Sequence, residues 1–186
     1  MLEKIGLKPD EVAAADIDET PRKNETPVAY VKRMAAEKNA ALAEKYPDDF
    51  LITADTTGVL GRRILGKPAD EKEEEAFLRL LSGRSHTIMT AVTVRAPQET
   101  FGGKTSHRLT KTRVTFKRLS DIEIAAFMRT REWVGMACGY RFGLYADRFV
   151  SSVSGSVPGI IGLPTYETVQ MLQGLGYKGL GYEDRD

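Results

Sequence analysis

The sequence predicts an α/β fold in which a mixed, twisted β-sheet is flanked by helices. Two observations indicate it. Segments with helical spacing of apolar residues alternate with short apolar or alternating segments that are typical of strands. The strands occur both separated by helices and joined directly, so we expect some antiparallel pairing. The chain has 186 residues and no repeat, low-complexity tract or long linker, and we expect residues 1–186 to form a single domain.

The first predicted elements are a helix and a buried strand. A helix over 26–46 begins with a threonine that can cap it and a proline suited to the first turn. Residues 50–54 form a nearly continuous apolar run, which indicates a strand buried on both faces. We expect this strand to end at Asp55 and Thr56.

A hairpin and a second helix follow. Residues 59–65 are typical of a hairpin with its turn near Gly61. A helix is predicted to end at residue 81, before Gly83, and its acidic start at 70–75 favours the helix dipole. We expect this acidic start to be solvated.

The second half of the chain predicts three strands and two helices. Alternating apolar residues indicate strands over 87–94 and 112–116, joined by a polar connection over 97–110. The remaining elements are a helix opened by a capping box at Ser120, a strand over 148–153 and a helix over 164–173.

Composition argues against several classes of function. The 27 Lys and Arg residues balance 26 Asp and Glu, so the net charge of +1 gives no general attraction to nucleic-acid polymers or membranes, and we expect neither as a partner. Glycines and prolines interrupt the longest uncharged run, over 149–166, which argues against a membrane span. Residues 1–6 show no export signal, so we expect a cytoplasmic protein. Cys138, the single cysteine, has no adjacent base, and we expect no thiol nucleophile.

Four charged residues lie where α/β folds place their sites, near strand ends and loops. Asp55 follows the apolar strand, Glu19 lies in a polar loop, Lys38 lies on the first helix, and Lys67 lies in a loop. Carboxylates can hold Mg²⁺ or orient water, and ammonium groups neutralise phosphate charge, so the set suits phosphoanhydride hydrolysis. From composition alone, each residue is more often a surface lysine or a turn-capping carboxylate, and this alternative stays open.

Six motifs occur in the order in which they occur in the Maf family of nucleotide pyrophosphatases, and the sequence resembles that family over about residues 2–176. The motifs are Asp16-Ile17-Asp18-Glu19-Thr20-Pro21, Met34-Ala35-x-x-Lys38, Ala54-Asp55-Thr56, Ile64-Leu65-Gly66-Lys67-Pro68, Leu81-Ser82-Gly83-Arg84-x-His86 and Gly162-Leu163-Pro164-x-Tyr166-Glu167-Thr168.

The resemblance implies a Maf/ITPase-like fold with two lobes around a cleft. It also implies a cytoplasmic, often homodimeric house-cleaning enzyme that hydrolyses nucleoside triphosphates, including modified or non-canonical ones, to a monophosphate and pyrophosphate. The family was first linked to septum formation, and a divalent cation, Mg²⁺ or Mn²⁺, is required.

The family's site residues can be carried over by motif. By resemblance, Asp55 matches the catalytic aspartate, which acts as general base or holds the metal and the attacking water. Glu19 matches a second acidic residue, and the two carboxylates are the expected metal ligands. Lys38 and Lys67 match phosphate-binding lysines, and Thr56 matches a position associated with base selectivity.

The resemblance breaks at two places that concern substrate binding. A family strand and its Ser-x-Ser-Pro-Arg-Arg loop, on the order of fifteen residues, have no counterpart before the first matched residues. In the glycine-rich segment, Met136 replaces a lysine and Gly143 replaces a glutamine that helps to choose the base, while Arg141 could replace some of the lost charge. A related subfamily, linked to methylated guanine nucleotides, shares part of this pattern, so the preferred base stays open.

These departures leave two functional hypotheses. The first is a nucleoside triphosphate pyrophosphatase with the site described above. The alternative is a divergent, catalytically impaired Maf-like protein that acts as a nucleotide-binding or cell-division-linked interaction protein.

Overall fold

The computed structural model describes residues 1–181, which form a five-stranded sheet with helices on both faces. The strand order is β2-β1-β3-β4-β5. The strands are β1 (Leu51–Leu60), β2 (Arg63–Leu65), β3 (Ser85–Arg95), β4 (Thr105–Phe116) and β5 (Val150–Ser154). The helices are α1 (Pro27–Lys45), α2 (Glu71–Leu81), α3 (Gln98–Phe101), α4 (Asp121–Thr130), α5 (Val157–Ile161) and α6 (Thr165–Gly174). The predicted α/β class and helix-flanked sheet are confirmed.

Strand pairing differs from the prediction in three respects. All four pairings in the described sheet are antiparallel, so the sheet is not mixed there. β1 does not end at Asp55 and Thr56, because its backbone continues to pair with β3 as far as Val59. β4 begins at Thr105, within the predicted polar connection. The prediction missed the first half of this strand because that half is largely exposed and carries polar side chains.

The outer edge of β1 is only partly paired. β2 pairs with β1 from Gly58 to Leu60, whereas β3 pairs along the other edge from Leu51. Within residues 1–181, the outer edge over 51–57 therefore has no strand partner. The loop that carries Glu19 lies near this edge, and the candidate site is built there.

Helix α1 covers one face of the sheet. The Thr26 side chain accepts a hydrogen bond from the Ala29 N–H, as a capping residue should. Val31 and Ala35 pack against Ala91 of β3. The other face packs against α2, α4 and the C-terminal elements in two apolar clusters.

Glu74 corrects the prediction of a solvated helix start on α2. Glu71 and Glu75 are exposed, but Glu74 is fully buried, because it lies on the same helical stripe as Phe77 and Leu78. A Cβ atom on Gly139 would lie 1.6 Å from Glu74 Oε2. Neither carboxyl oxygen has a hydrogen-bond partner within the described chain. Burial raises the pKa of Glu74 to about 9, so the group is protonated at neutral pH.

The glycine-rich segment packs closely on β1. Cys138 is fully buried and adopts a left-handed conformation with φ of 60°. A Cβ atom on Gly58 would lie 1.4 Å from the Cys138 sulfur, so the glycine makes room for the thiol. Burial raises the pKa of the Cys138 thiol well above the ordinary value, so the thiol is protonated at neutral pH.

Candidate active site

Four predicted residues from separate parts of the chain come together at one place. The Lys38 ammonium lies 2.8 Å from Asp55 Oδ1 and 2.7 Å from Glu19 Oε1. The Lys67 ammonium lies 3.8 Å from Glu19 Oε2. We call these four side chains the acid–lysine cluster. Its charges alternate, so each carboxylate faces at least one ammonium group.

Packing of α1 on β1 brings Lys38 to Asp55. The Thr53 hydroxyl donates a 2.7 Å hydrogen bond to the Ala35 carbonyl and so fixes the helix over the strand. Asp55 lies two residues further along β1, on the same face as Thr53. Lys38 lies three residues beyond Ala35, close to one helical turn, and its side chain therefore reaches the Asp55 carboxylate.

Lys67 approaches the cluster from the loop after β2. The Gly66 carbonyl accepts a 3.0 Å hydrogen bond from the Cys138 N–H, which ties this loop to the glycine-rich segment. The Lys67 side chain is 63% exposed and has only the longer contact with Glu19. It can therefore turn toward a bound anion at little cost.

Burial and charge make the two carboxylates of the cluster unequal. The Asp55 side chain is only 11% exposed. Burial raises the pKa of Asp55 above the ordinary aspartate value, although the hydrogen bond from Lys38 acts in the opposite direction. The same lysine holds the pKa of Glu19, which is more exposed, below its ordinary value. Burial thus favours a proton on Asp55, whereas Lys38 keeps Glu19 ionised.

Lys38 remains a cation in this setting. Burial on its own would lower the pKa of Lys38, but the hydrogen bonds to Asp55 and Glu19 outweigh burial and raise the pKa. Because 19% of the Lys38 side chain is exposed, its ammonium can contact both the carboxylates and a bound ligand.

The cluster lies beside two adjoining cavities. Glu19 and Lys38 line a cavity of about 460 Å³ between the loop at 13–19 and β1. A cavity of about 660 Å³ shares Leu42 and Ala54 with it and extends along β1. Glu19 and Lys38 therefore face space that a small anionic ligand can enter, whereas Asp55 and Lys67 lie beside it without lining either cavity.

Comparison with known proteins identifies the family. A family model described as Maf-like protein matches residues 1–175. The chain belongs to the Maf family. The resemblance inferred from the six motifs is thereby confirmed.

Curated relatives of this Maf chain are similar over nearly its whole length. It is 43% identical over 178 residues to the dTTP/UTP pyrophosphatase of Caulobacter vibrioides, and 47% identical over 178 residues to that of Hyphomonas neptunium. It is 46% identical over 176 residues to the dTTP/UTP pyrophosphatase of Cereibacter sphaeroides. These alignments cover 95–96% of this chain and 88–90% of the relatives.

The other predicted site residues of this Maf chain do not reach the cluster. Neighbouring residues of a strand point to opposite faces, so Thr56 faces away from Asp55. The Thr56 hydroxyl is hydrogen-bonded to Thr90 Oγ1 at 2.8 Å, on the other side of the sheet. Arg141 is exposed and has no ion pair within residues 1–181. The Gly143 N–H donates to the Asp147 carboxylate.

Glu19 and Asp55 are the carboxylates of the cluster that could hold a divalent cation. No group of three or more His, Cys, Asp or Glu side chains in the described part of the chain is arranged to hold a metal ion. Mg²⁺ is commonly held by one or two carboxylates together with substrate phosphates, so the donor set of this Maf site fits such a cation.

Sequence reasoning missed the residues that hold the Glu19 loop. The Tyr30 hydroxyl donates to the Glu19 carbonyl at 3.0 Å, and Arg33 donates to the Thr20 carbonyl at 3.1 Å. Both donors lie on α1, on the side that approaches the loop. Their spacing of three residues places them on one side of the helix, but nothing in the sequence shows that the loop passes there.

No helix in the described 181 residues is both long enough and apolar enough to cross a membrane.

Proposed function

We propose that this Maf chain hydrolyses nucleoside triphosphates, dTTP and UTP first among them, to the nucleoside monophosphate and pyrophosphate. The relatives named above carry the name dTTP/UTP pyrophosphatase. The observation that carries the proposal is the acid–lysine cluster, in which Lys38 joins two carboxylates at 2.7 and 2.8 Å beside a cavity. Such a set supplies a base and the positive charge that a triphosphate needs.

Water attacks the α-phosphorus in this reaction, and the bond from the α-phosphorus to the oxygen that bridges to the β-phosphorus breaks. Asp55 accepts the proton of the water, since burial raises the pKa of this carboxyl above the ordinary aspartate value and so makes it a better base than an exposed aspartate. The bridging oxygen leaves with the pyrophosphate. Lys38 and Lys67 neutralise the charge that develops on the departing phosphates.

The divalent cation is proposed to be Mg²⁺ or Mn²⁺, held by Glu19 and Asp55. When bound, it supplies positive charge to the phosphate oxygens and lowers the pKa of the attacking water. The protein's own part is to fix the two carboxylates on a loop and a strand, with Lys38 hydrogen-bonded to both.

Pyrophosphate release from a panel of nucleoside triphosphates, with Mg²⁺ or Mn²⁺, tests the proposal. We expect Asp55→Asn to lower kcat by about 10²- to 10⁴-fold, as loss of a general base does. Asp121→Asn is the matched control, because Asp121 is 84% exposed and pairs with Arg79 away from the site. A chain that binds dTTP but releases no pyrophosphate from any nucleotide would instead favour the alternative of an impaired nucleotide-binding protein.

Roles for Thr56, Arg141 and Gly143 in substrate binding remain proposals. We expect Thr56→Val or Arg141→Gln to change the ratio of kcat/KM between dTTP and other nucleotides. An unchanged ratio in both variants would contradict the roles of Thr56 and Arg141. The same panel should contain methylated and deaminated nucleotides, since hydrolysis of modified nucleotides is part of the proposal.

A cytoplasmic homodimer is the proposed working form. Sedimentation at micromolar concentration should give the mass of two chains, and a monomer would contradict the proposed dimer. Fractionation of cells that express the chain should place it with the cytoplasmic proteins, and recovery from the membrane or exported fraction would contradict the proposed location.

A further inference from the structure

Glu19 lies in a segment without regular secondary structure. Residues 11–22 contain neither helix nor strand, and the Glu19 side chain is 41% exposed. The Asp18 carboxylate accepts a 2.9 Å hydrogen bond from the Thr20 N–H and tightens the segment locally. The ion pairs of Glu19 with Lys38 and Lys67 are partly exposed, and exposed pairs contribute little to position. Contacts besides the Lys38 bridge must therefore help to place Glu19 beside Asp55.

Two side chains of α1 hold two consecutive backbone carbonyls of the loop, those of Glu19 and Thr20. The Tyr30 hydroxyl donates to the Glu19 carbonyl, and Arg33 Nη2 donates to the Thr20 carbonyl. The Arg33 guanidinium also lies 5.7 Å from the centre of the Tyr30 ring. Lys38 is on the same helix, so one rigid element carries both the lysine of the cluster and the anchors of the loop.

Arg33 is itself firmly held. Its Nε and Nη2 atoms each lie 2.7 Å from a different carboxylate oxygen of Glu25, and its Nη1 atom lies 3.0 Å from Glu37. The side chains of Arg33 and Glu25 are only 12% and 8% exposed. Glu25 also accepts a hydrogen bond from the Arg22 N–H, so the far end of the same loop is tied to the same guanidinium. Bidentate pairs of this kind fix geometry more strictly than single contacts do.

We infer that Tyr30 and Arg33 are positioning residues for Glu19, which place its carboxylate opposite Asp55 by holding the Glu19 and Thr20 carbonyls on α1. The inference rests on the proposed function, because it assigns the purpose of this network to the hydrolytic site. Within the described residues, neither side chain is hydrogen-bonded or ion-paired to Asp55, Lys38 or Lys67. The hydrogen bonds from both side chains lead to the Glu19 loop, so their effect on the reaction is expected to depend on Glu19.

Tyr30→Phe is the cleanest test, because it removes one hydroxyl and leaves the ring in place. We expect kcat for dTTP to fall by about tenfold, the size of effect seen when a partner that orients a ligand residue is lost. In a Glu19→Gln background, the same change should alter kcat by less than about twofold, since the residue that it positions is already disabled. A tenfold loss in both backgrounds would overturn the inference, and so would no loss in either.

Arg33→Lys is the second variant. It keeps the charge but cannot bind Glu25 and the Thr20 carbonyl together. We therefore expect kcat for dTTP to fall in the otherwise unmodified chain and to change little in the Glu19→Gln background. Tyr166→Phe is the control, because Tyr166 is 72% exposed on α6 and we expect its hydroxyl to affect neither kcat nor the loop.

Hydrogen exchange provides a readout that does not need activity. Amides over 18–22 should exchange about tenfold faster in Tyr30→Phe than in the unmodified chain, whereas Tyr166→Phe should leave them unchanged. Unchanged exchange in both Tyr30→Phe and Arg33→Lys would overturn the inference. A chain inactive toward every nucleotide would contradict the proposed function. Amide hydrogen exchange would then still decide whether Tyr30 and Arg33 hold this loop.

Discussion

Replacing Glu74 by glutamine should make the protein more stable at neutral pH and remove part of its pH dependence. The native carboxyl is fully buried and has no hydrogen-bond partner in the described residues, and its pKa is raised from 4.5 to about 9. Between these two pH values the unfolded chain is ionised at this group while the native chain is protonated. The unfolded chain then binds fewer protons, so stability falls as pH rises.

The size of the effect follows from the shift in pKa. Each pH unit above 4.5 costs about 1.4 kcal/mol until the native group ionises, so the cost at pH 7 is about 3 kcal/mol. Stability from this group is fully present below pH 4.5 and is lost as pH rises toward about 9. Glutamine has the shape of the protonated acid, and it removes this cost without opening a cavity.

Urea unfolding at pH 5, 6, 7 and 8 measures the difference between Glu74→Gln and the unmodified chain. We expect little difference at pH 5 and about 3 kcal/mol in favour of Glu74→Gln at pH 7. Glu71→Gln is the control for the substitution itself, because Glu71 is an exposed glutamate on the same helix. Parallel profiles for Glu74→Gln and the unmodified chain would refute the claim that this carboxyl is buried without a partner.

Three further predictions concern the site and the packing beneath it. Lys38→Met should lower kcat for dTTP by about 10²-fold in a pyrophosphate-release assay, because it removes positive charge and leaves Asp55 unpaired; activity within a few-fold of the unmodified chain would contradict this role. Gly58→Ala should lower the free energy of unfolding by about 1–3 kcal/mol, because the new Cβ atom would lie 1.4 Å from the Cys138 sulfur. Adding Cys138→Ala to Gly58→Ala should restore part of that loss in urea unfolding, and strictly additive losses would contradict the proposed clash. Thr56→Val should leave the melting temperature lower by a few degrees, because the hydrogen bond to Thr90 is lost; an unchanged value by calorimetry would contradict the contact.

Local signals in the sequence predicted several elements well. The caps at Thr26 and Ser120 both form, and the latter is a complete capping box. The hairpin turn near Gly61 is also confirmed, since Leu60 and Arg63 are paired across it and the glycine has φ of 62°. These features depend on residues close together in the sequence, which is why they can be predicted from it.

Strand partners and strand lengths were harder to predict. A polar residue such as Asp55 usually marks the end of an apolar strand, but pairing with β3 keeps it in the ladder opposite Ala91. Such pairing joins residues that are far apart in sequence. The face of Thr56, by contrast, could have been predicted, because alternation along a strand places it opposite to Asp55.

Two features, one in the core and one at the site, were missed for different reasons. The acidic start of α2 was expected to be solvated, although the helical stripe through Phe77 and Leu81 includes position 74 and could have predicted that Glu74 is buried. The roles of Tyr30 and Arg33 could not be predicted in the same way, because they depend on the path of a loop that has no periodic pattern. The acid–lysine cluster itself was predicted by motif order, and the structure brings all four side chains together.

Hydrolysis of dTTP in water enriched in ¹⁸O tests the central claim most directly, with the unmodified chain and Asp55→Asn compared side by side. If the acid–lysine cluster activates water against the α-phosphorus, the label should appear in dTMP, the pyrophosphate should be unlabelled, and Asp55→Asn should form neither product at a comparable rate. Label in the pyrophosphate, release of orthophosphate, or equal rates for the two proteins would contradict the account.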